Sequence, residues 1–119
     1  MFRAMKLFFC LFLLSACTGH HDADDYDLVK LKAVAGQLFE APTNGKRIEK
    51  QWWPSDITEL NPESIIKSEK GIYIKLESFF VEESGFFIPS PGTKIEPGVH
   101  ADPSYLLLGD GIYSYYVTG

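Results

Sequence analysis

Residues 71–89 read GIYIKLESFFVEESGFFIP. Ile72, Ile74 and Leu76 alternate with Tyr73, Lys75 and Glu77, the period-two pattern of a strand with one buried face. Phe79, Phe80 and Val81 continue or restart that strand. Glu82-Glu83-Ser84-Gly85 has the composition of a turn. Phe86 to Ile88 then form the returning strand, closed by Pro89, which has no N–H to give a ladder. The stretch is an antiparallel hairpin, and a fold that contains it must cover one of its faces.

Two further strand signals flank the hairpin. Ile65 and Ile66 make a short strand over Ser64–Ser68, joined to the hairpin through the turn Lys70-Gly71. Residues 90–103 carry Pro91, Gly92, Pro97, Gly98 and Pro103 and read as a long irregular loop. Tyr105–Leu108, the turn Gly109-Asp110-Gly111 and Ile112–Val117 form a last hairpin. Within it Tyr113 and Tyr115 share one face, and Ile112 and Tyr116 the other.

The cover comes from upstream. Leu28, Leu31, Ala35 and Leu38 fall on one stripe of a 3.6-residue period, so Asp25–Glu40 reads as a helix with Asp24 or Asp25 at its start and Pro42 forbidding continuation. Gly36 weakens it by up to about 1 kcal/mol. Alternation over Asp27–Ala33 keeps a strand open there. Asn44-Gly45 marks a turn in the following loop. Ser55-Asp56, Ile57 and Leu60 suggest one or two capped helical turns before Asn61-Pro62. The predicted fold is a small α+β domain: one N-terminal helix packed on an antiparallel sheet of about four or five short strands. Without that cover Phe79, Phe80, Phe86 and Phe87 would face water.

The N-terminus has a different character. Arg3 and Lys6 precede an uncharged run, Leu7–Leu14, which is about the length of a signal-peptide apolar region and too short to span a bilayer. Leu14-Ser15-Ala16-Cys17 follows, and this order resembles the lipobox of bacterial lipoproteins. The resemblance covers about the first 18 residues. It implies a signal peptide over residues 1–16 and a diacylglycerol on the thiol of Cys17, with acylation, as by palmitate, of the new amine. An ordinary secretory signal cut near Ala16, or a buried N-terminal helix, is the alternative. Asp after the cysteine tends to hold Gram-negative lipoproteins at the inner membrane; Thr18 instead implies the periplasmic face of the outer membrane, if the host is Gram-negative. Residues 17–25 then form the acylated cysteine and a polar, solvated tether, and residues 26–119 the domain. The spread NPESI, GIYI, ESGFFIP, DPSY and GIYSYYVTG is similar to small bacterial proteins without an assigned activity, so it implies none.

Charge and cysteine content narrow the function. The chain has 11 Lys plus Arg and 16 Asp plus Glu; losing Arg3 and Lys6 leaves 9 against 16, a net charge of −7. Such a surface argues against nucleic acid and against a grip on anionic headgroups. The only cysteines are Cys10 and Cys17. Cys10 would leave with the signal and Cys17 would carry lipid, so the domain has no thiol for a disulfide or a nucleophile.

Chemistry is sparse. His20, His21, Asp22, Asp24 and Asp25 are competent metal ligands, but no second cluster follows at a fixed spacing, and no metal or cofactor beyond the covalent lipid is expected. His100, Asp102 and Ser104 are the residue types of a hydrolase triad, yet a triad is a spatial arrangement and not a run of neighbours. Glu82 and Glu83 fall in the supposed turn, exposed. Trp52 and Trp53 are either the edge of a core or an anchor for a partner. Tyr105, Tyr113 and Tyr115, with Tyr116, are either ordinary sheet residues or a stacking surface for sugar or peptide. The expected function is a non-enzymatic, membrane-anchored envelope module that binds a protein, peptide or glycan, as an inhibitor, immunity-type or accessory protein. A small envelope hydrolase built on the His100 loop is the alternative.

Overall fold

Asp27, two residues beyond the predicted start, opens the helix. In the computed structural model, which describes residues 20, 21, 23–95 and 102–118, its carboxylate accepts a hydrogen bond from the Lys30 N–H at 3.1 Å. This satisfies one of the free amides of the first turn. Helix α1 spans Leu28–Glu40, preceded by a 3-10 turn over Ala23–Asp25. Its buried stripe is Leu31, Val34, Ala35 and Leu38. At the far end Lys67, reaching from the sheet, donates its ammonium to the carbonyls of Phe39 and Ala41. A cation there complements the negative pole of the helix. A 3-10 turn, Lys50–Trp52, and a single helical turn, α2 over Ser55–Thr58, follow. Ile57 of α2 is fully buried.

Five strands complete the domain: β1 (Ser64–Lys67), β2 (Gly71–Phe79), β3 (Glu82–Pro89), β4 (Ser104–Gly109) and β5 (Ile112–Val117). All neighbours are antiparallel in the order β1-β2-β3-β5-β4. The protein is thus an α+β domain of one main helix on a five-stranded antiparallel sheet. The helix lies on the face that carries Ile65, Ile72, Ile74, Phe86, Ile88 and Ile112, and with α1, Ile48 and Ile57 these make one core. Each such side chain removed from water contributes about 2 kcal/mol.

The central hairpin differs from its sequence reading. Glu82-Glu83-Ser84-Gly85 is not a turn; all four residues belong to β3, and the turn is Phe80-Val81. Gly85 lies mid-strand opposite Lys75, where the register shifts between Lys75 and Glu77. A Cβ on Gly85 would sit 1.9 Å from the Ile74 carbonyl oxygen, so the irregular backbone admits only glycine. Glycine there reports a bulge and not a chain reversal. The covering helix also buries only part of the set expected of it. Phe86 is under the helix and Phe87 is buried on the opposite face, whereas Phe79 and Phe80 are 67% and 90% exposed.

The two ends of the sheet are unlike. Gly71, Pro89, Lys67 and the β4–β5 turn Asp110-Gly111 stand at one end; a Cβ on Gly109 would touch Leu28 of α1, so the helix begins above this end. Phe79, Glu82, Val117, Ser104 and Ser64 stand at the other, beyond the cover of α1.

Candidate functional site

Alternation puts three serines on the helix side of the sheet at its uncovered end. Ser84, Ser104 and Ser114 are 5%, 3% and 0% exposed. Ser84 and Ser104 both pair with Tyr116, and Ser114 with Phe86 and Leu106. What seals them is the segment expected to be a solvated tether. His20 lies between two hydroxyls, its Nδ1 2.8 Å from Ser114 Oγ and its Nε2 3.0 Å from Ser104 Oγ. The His21 amide donates to Ser114 Oγ at 3.0 Å. The His21 ring spans Tyr26 Oη at 3.1 Å and Ser84 Oγ at 3.2 Å. Tyr26 in turn stands edge-on to Phe86, ring centres 4.6 Å apart. The two histidines therefore act as a lid on the core.

The donors and acceptors fit one sequence of bonds. His21 N–H donates to Ser114, so the Ser114 hydroxyl proton is free to go to His20 Nδ1. His20 Nε2–H then donates to Ser104, whose own proton reaches the Tyr116 carbonyl at 3.4 Å. This assignment needs a neutral His20 protonated at Nε2. The surroundings favour that state: burial lowers the His20 pKa below its usual value, and the neighbouring His21 adds to the effect. Burial also lowers that of His21, against the opposing pull of Glu77 and Asp25.

A serine beside a neutral histidine is the start of a nucleophile, and here Ser84, Ser104 and Ser114 are all buried. Two members of the linear triad have other partners. Asp102 Oδ1 accepts the Thr118 N–H at 2.8 Å, and Ser104 is engaged by His20. His100 lies outside the described residues. Among the described residues no three His, Cys, Asp or Glu side chains are grouped as metal ligands. The only signal for the His–Ser lid in the sequence is serine at core-facing positions of three strands.

The opposite face of the sheet is aromatic. Phe87 packs against Tyr73 and Tyr105, with ring centres 4.5 and 5.1 Å apart, and Tyr115 stands edge-on to Tyr73 at 5.0 Å. The Tyr73 and Tyr105 hydroxyls are 2.7 Å apart. Tyr105 and Tyr113 are half-buried, while Tyr115 is buried and donates to Glu83 at 3.0 Å. Burial pushes the Tyr73 and Tyr115 phenols well up, so both keep their protons at any physiological pH. Glu82 and Glu83 are half-buried partners of Tyr116 and Tyr115, not exposed turn carboxylates. Tyr105 and Tyr113 are thus partly open to solvent, and the buried Tyr115 lies opposite Tyr105 in the sheet.

The tryptophans belong elsewhere. Trp53 packs on the helix-side core, donates Nε1–H to the Ile48 carbonyl at 2.9 Å and lies under the Lys50 ammonium; Trp52 is 47% exposed. The sheet separates them from the tyrosine face, so the two aromatic groups do not form one surface. Cys17 lies outside the described residues, three positions before His20. No family model matches the chain, and no curated protein and no solved structure matches it.

Proposed function

We propose that the chain is a lipoprotein of the bacterial cell envelope, held in the bilayer by acylated Cys17 and presenting a small non-enzymatic binding domain. The observation that carries this reading is the order Leu14-Ser15-Ala16-Cys17 behind a basic flank and an uncharged run. No described helix is long and apolar enough to cross a membrane. Two or three acyl chains on one sulfur and amine are enough to hold a protein at the bilayer. The outer membrane is the residence that Thr18 favours in a Gram-negative host.

The binding surface of this reading is the tyrosine face, with Tyr73, Tyr105 and Tyr113 as the contacts. Half-buried rings with fixed hydroxyls suit a glycan or an extended peptide, which stack and accept hydrogen bonds at little entropic cost. Intact-mass measurement of the membrane-extracted chain tests the anchor. An N-terminus at Cys17 with diacylglycerol and acyl mass is expected, and Cys17→Ser should leave the membrane fraction. An intact Met1, or a Cys17→Ser chain that is still cut and still sediments with membranes, overturns the reading.

A further inference from the structure

The β2–β3 turn is built against ordinary turn chemistry. Phe80 takes a φ of 56° at the first central position of a two-residue loop, where glycine is the usual occupant. The β4–β5 turn obeys the rule, with Asp110 and Gly111 at φ 52° and 74°. Phe80 is nonetheless 90% exposed, packs edge-on to Phe79 at 4.4 Å and is followed by Val81 at 69% exposure. Three consecutive, largely exposed apolar side chains thus project from one hairpin tip.

The tip shares its end of the sheet with the start of the domain. His21 is bonded to Ser84, two residues along β3 from Glu82, which pairs with Phe79. At about 3.4 Å per strand residue, that bond lies about 7 Å from the base of the tip. Cys17 is three residues before His20, and three peptide units reach at most about 11 Å. The lid holds His20 over Ser104 and Ser114, at the same end of the sheet as the tip, so an acyl group on Cys17 starts within about 11 Å of that point. The charged side chains at this end are mostly acidic: Glu82, Glu83 and Glu77 on the hairpin, Glu63 bonded to Ser78, and Asp102 bonded to Thr118, against Lys75 beside Glu63. That ring of charge fits a zwitterionic headgroup layer and opposes an anionic one.

We infer that Phe79, Phe80 and Val81 form a second membrane contact, which enters the interface of a zwitterionic bilayer beside the lipid on Cys17. This rests on the lipoprotein reading. Two fixed points, the lid-held anchor and the tip, then orient the domain with its sheet end on the membrane and the Asp110 turn away from it.

Because Cys17 is acylated, Val81→Cys creates a lone thiol in the mature chain, and Glu69→Cys creates one at the opposite sheet end. The acylated full chain carries an environment-sensitive fluorophore at either site, in phosphatidylcholine vesicles that contain nitroxide-labelled lipid. The label at 81 is expected to shift to the blue and to be quenched, the label at 69 to remain as in water. Adding Phe79→Thr and Phe80→Gly should abolish the shift at 81 without releasing the chain or lowering its stability. Replacing half of the lipid by phosphatidylglycerol should weaken the quenching. An acylated chain whose labels at 81 and 69 behave alike overturns the tip contact alone. A mass without acylation overturns the anchor and this orientation with it.

Discussion

At the scale of single residues, two positions on the central hairpin carry opposite lessons. Gly85 is required by space. A methyl group there meets the Ile74 carbonyl oxygen at 1.9 Å and the Ile74 carbonyl carbon at 2.9 Å, atoms of the sheet backbone that cannot swing aside. Gly85→Ala should therefore cost about 3 kcal/mol, read as a lower urea midpoint with an unchanged slope. A loss of under about 0.5 kcal/mol would mean that the strands part easily and that the bulge is not fixed. Phe80 is the converse, a large side chain held at positive φ and in water. Such backbone costs about 1–2 kcal/mol, which the greater freedom of an unfolded glycine partly offsets. Phe80→Gly should leave stability unchanged or raise it by up to about 1 kcal/mol. A clear loss would show that the ring packs on something in the domain, and that its exposure is not what keeps it for another surface.

At the scale of elements, the sequence is most legible where one rule acts alone. Asp110-Gly111 is a preferred pair for a two-residue hairpin, and both residues take the positive φ that the turn demands. The stripe of Leu31, Ala35 and Leu38 marked the helix, because only a 3.6-residue period puts them on one side. The predicted start of the helix, Asp25, lies three residues before Leu28, because the cap bond is made by Asp27 and not by the expected Asp24 or Asp25. Asp27→Ala should cost about 1 kcal/mol in the denaturation midpoint, and Asp25→Ala much less. An equal cost at both would place the cap elsewhere. The β2–β3 turn was misread because two rules conflict. Glu-Glu-Ser-Gly has turn composition, yet Glu82 and Glu83 are held in the strand by Tyr116 and Tyr115, and Gly85 by a close backbone approach. Neither partner is near in sequence, so no local pattern reveals them.

At the scale of the whole molecule, period-two alternation says which residues share a face but not how far along that face a helix reaches. Leu28 lies against Gly109, so α1 starts at one end and leaves Ser84, Ser104 and Ser114 to be sealed by His20 and His21. The aromatic residues were divided on the same ground: Tyr105, Tyr113 and Tyr115 could be assigned to one face from their spacing, but the sheet's position between them and Trp53 could not. A lid made of two neutral imidazoles ties the fold to acidity. Among the described residues Ser104, Ser114, Tyr116 and His21 stand around His20, and Ser84, Tyr26 and Phe86 around His21, with Glu77 and Asp25 pulling the His21 pKa the other way. Both folded pKa values lie below the value of about 6.5 that an unfolded histidine has. As pH falls through 6.5 the unfolded chain binds protons first, so stability that is present above that pH is lost on the way down to the lowered folded values. A protonated His20 can also no longer accept from Ser114 at Nδ1, which opens the lid before the rest of the domain. Hydrogen exchange at the His21 amide should therefore quicken as pH falls below about 6.5 relative to amides of β2, after correction for the intrinsic rate. The variant His20→Gln, His21→Gln should flatten stability over the same interval. An acid loss of equal size in that variant would move the effect to the carboxylates, and the lid would be a passive part of the core.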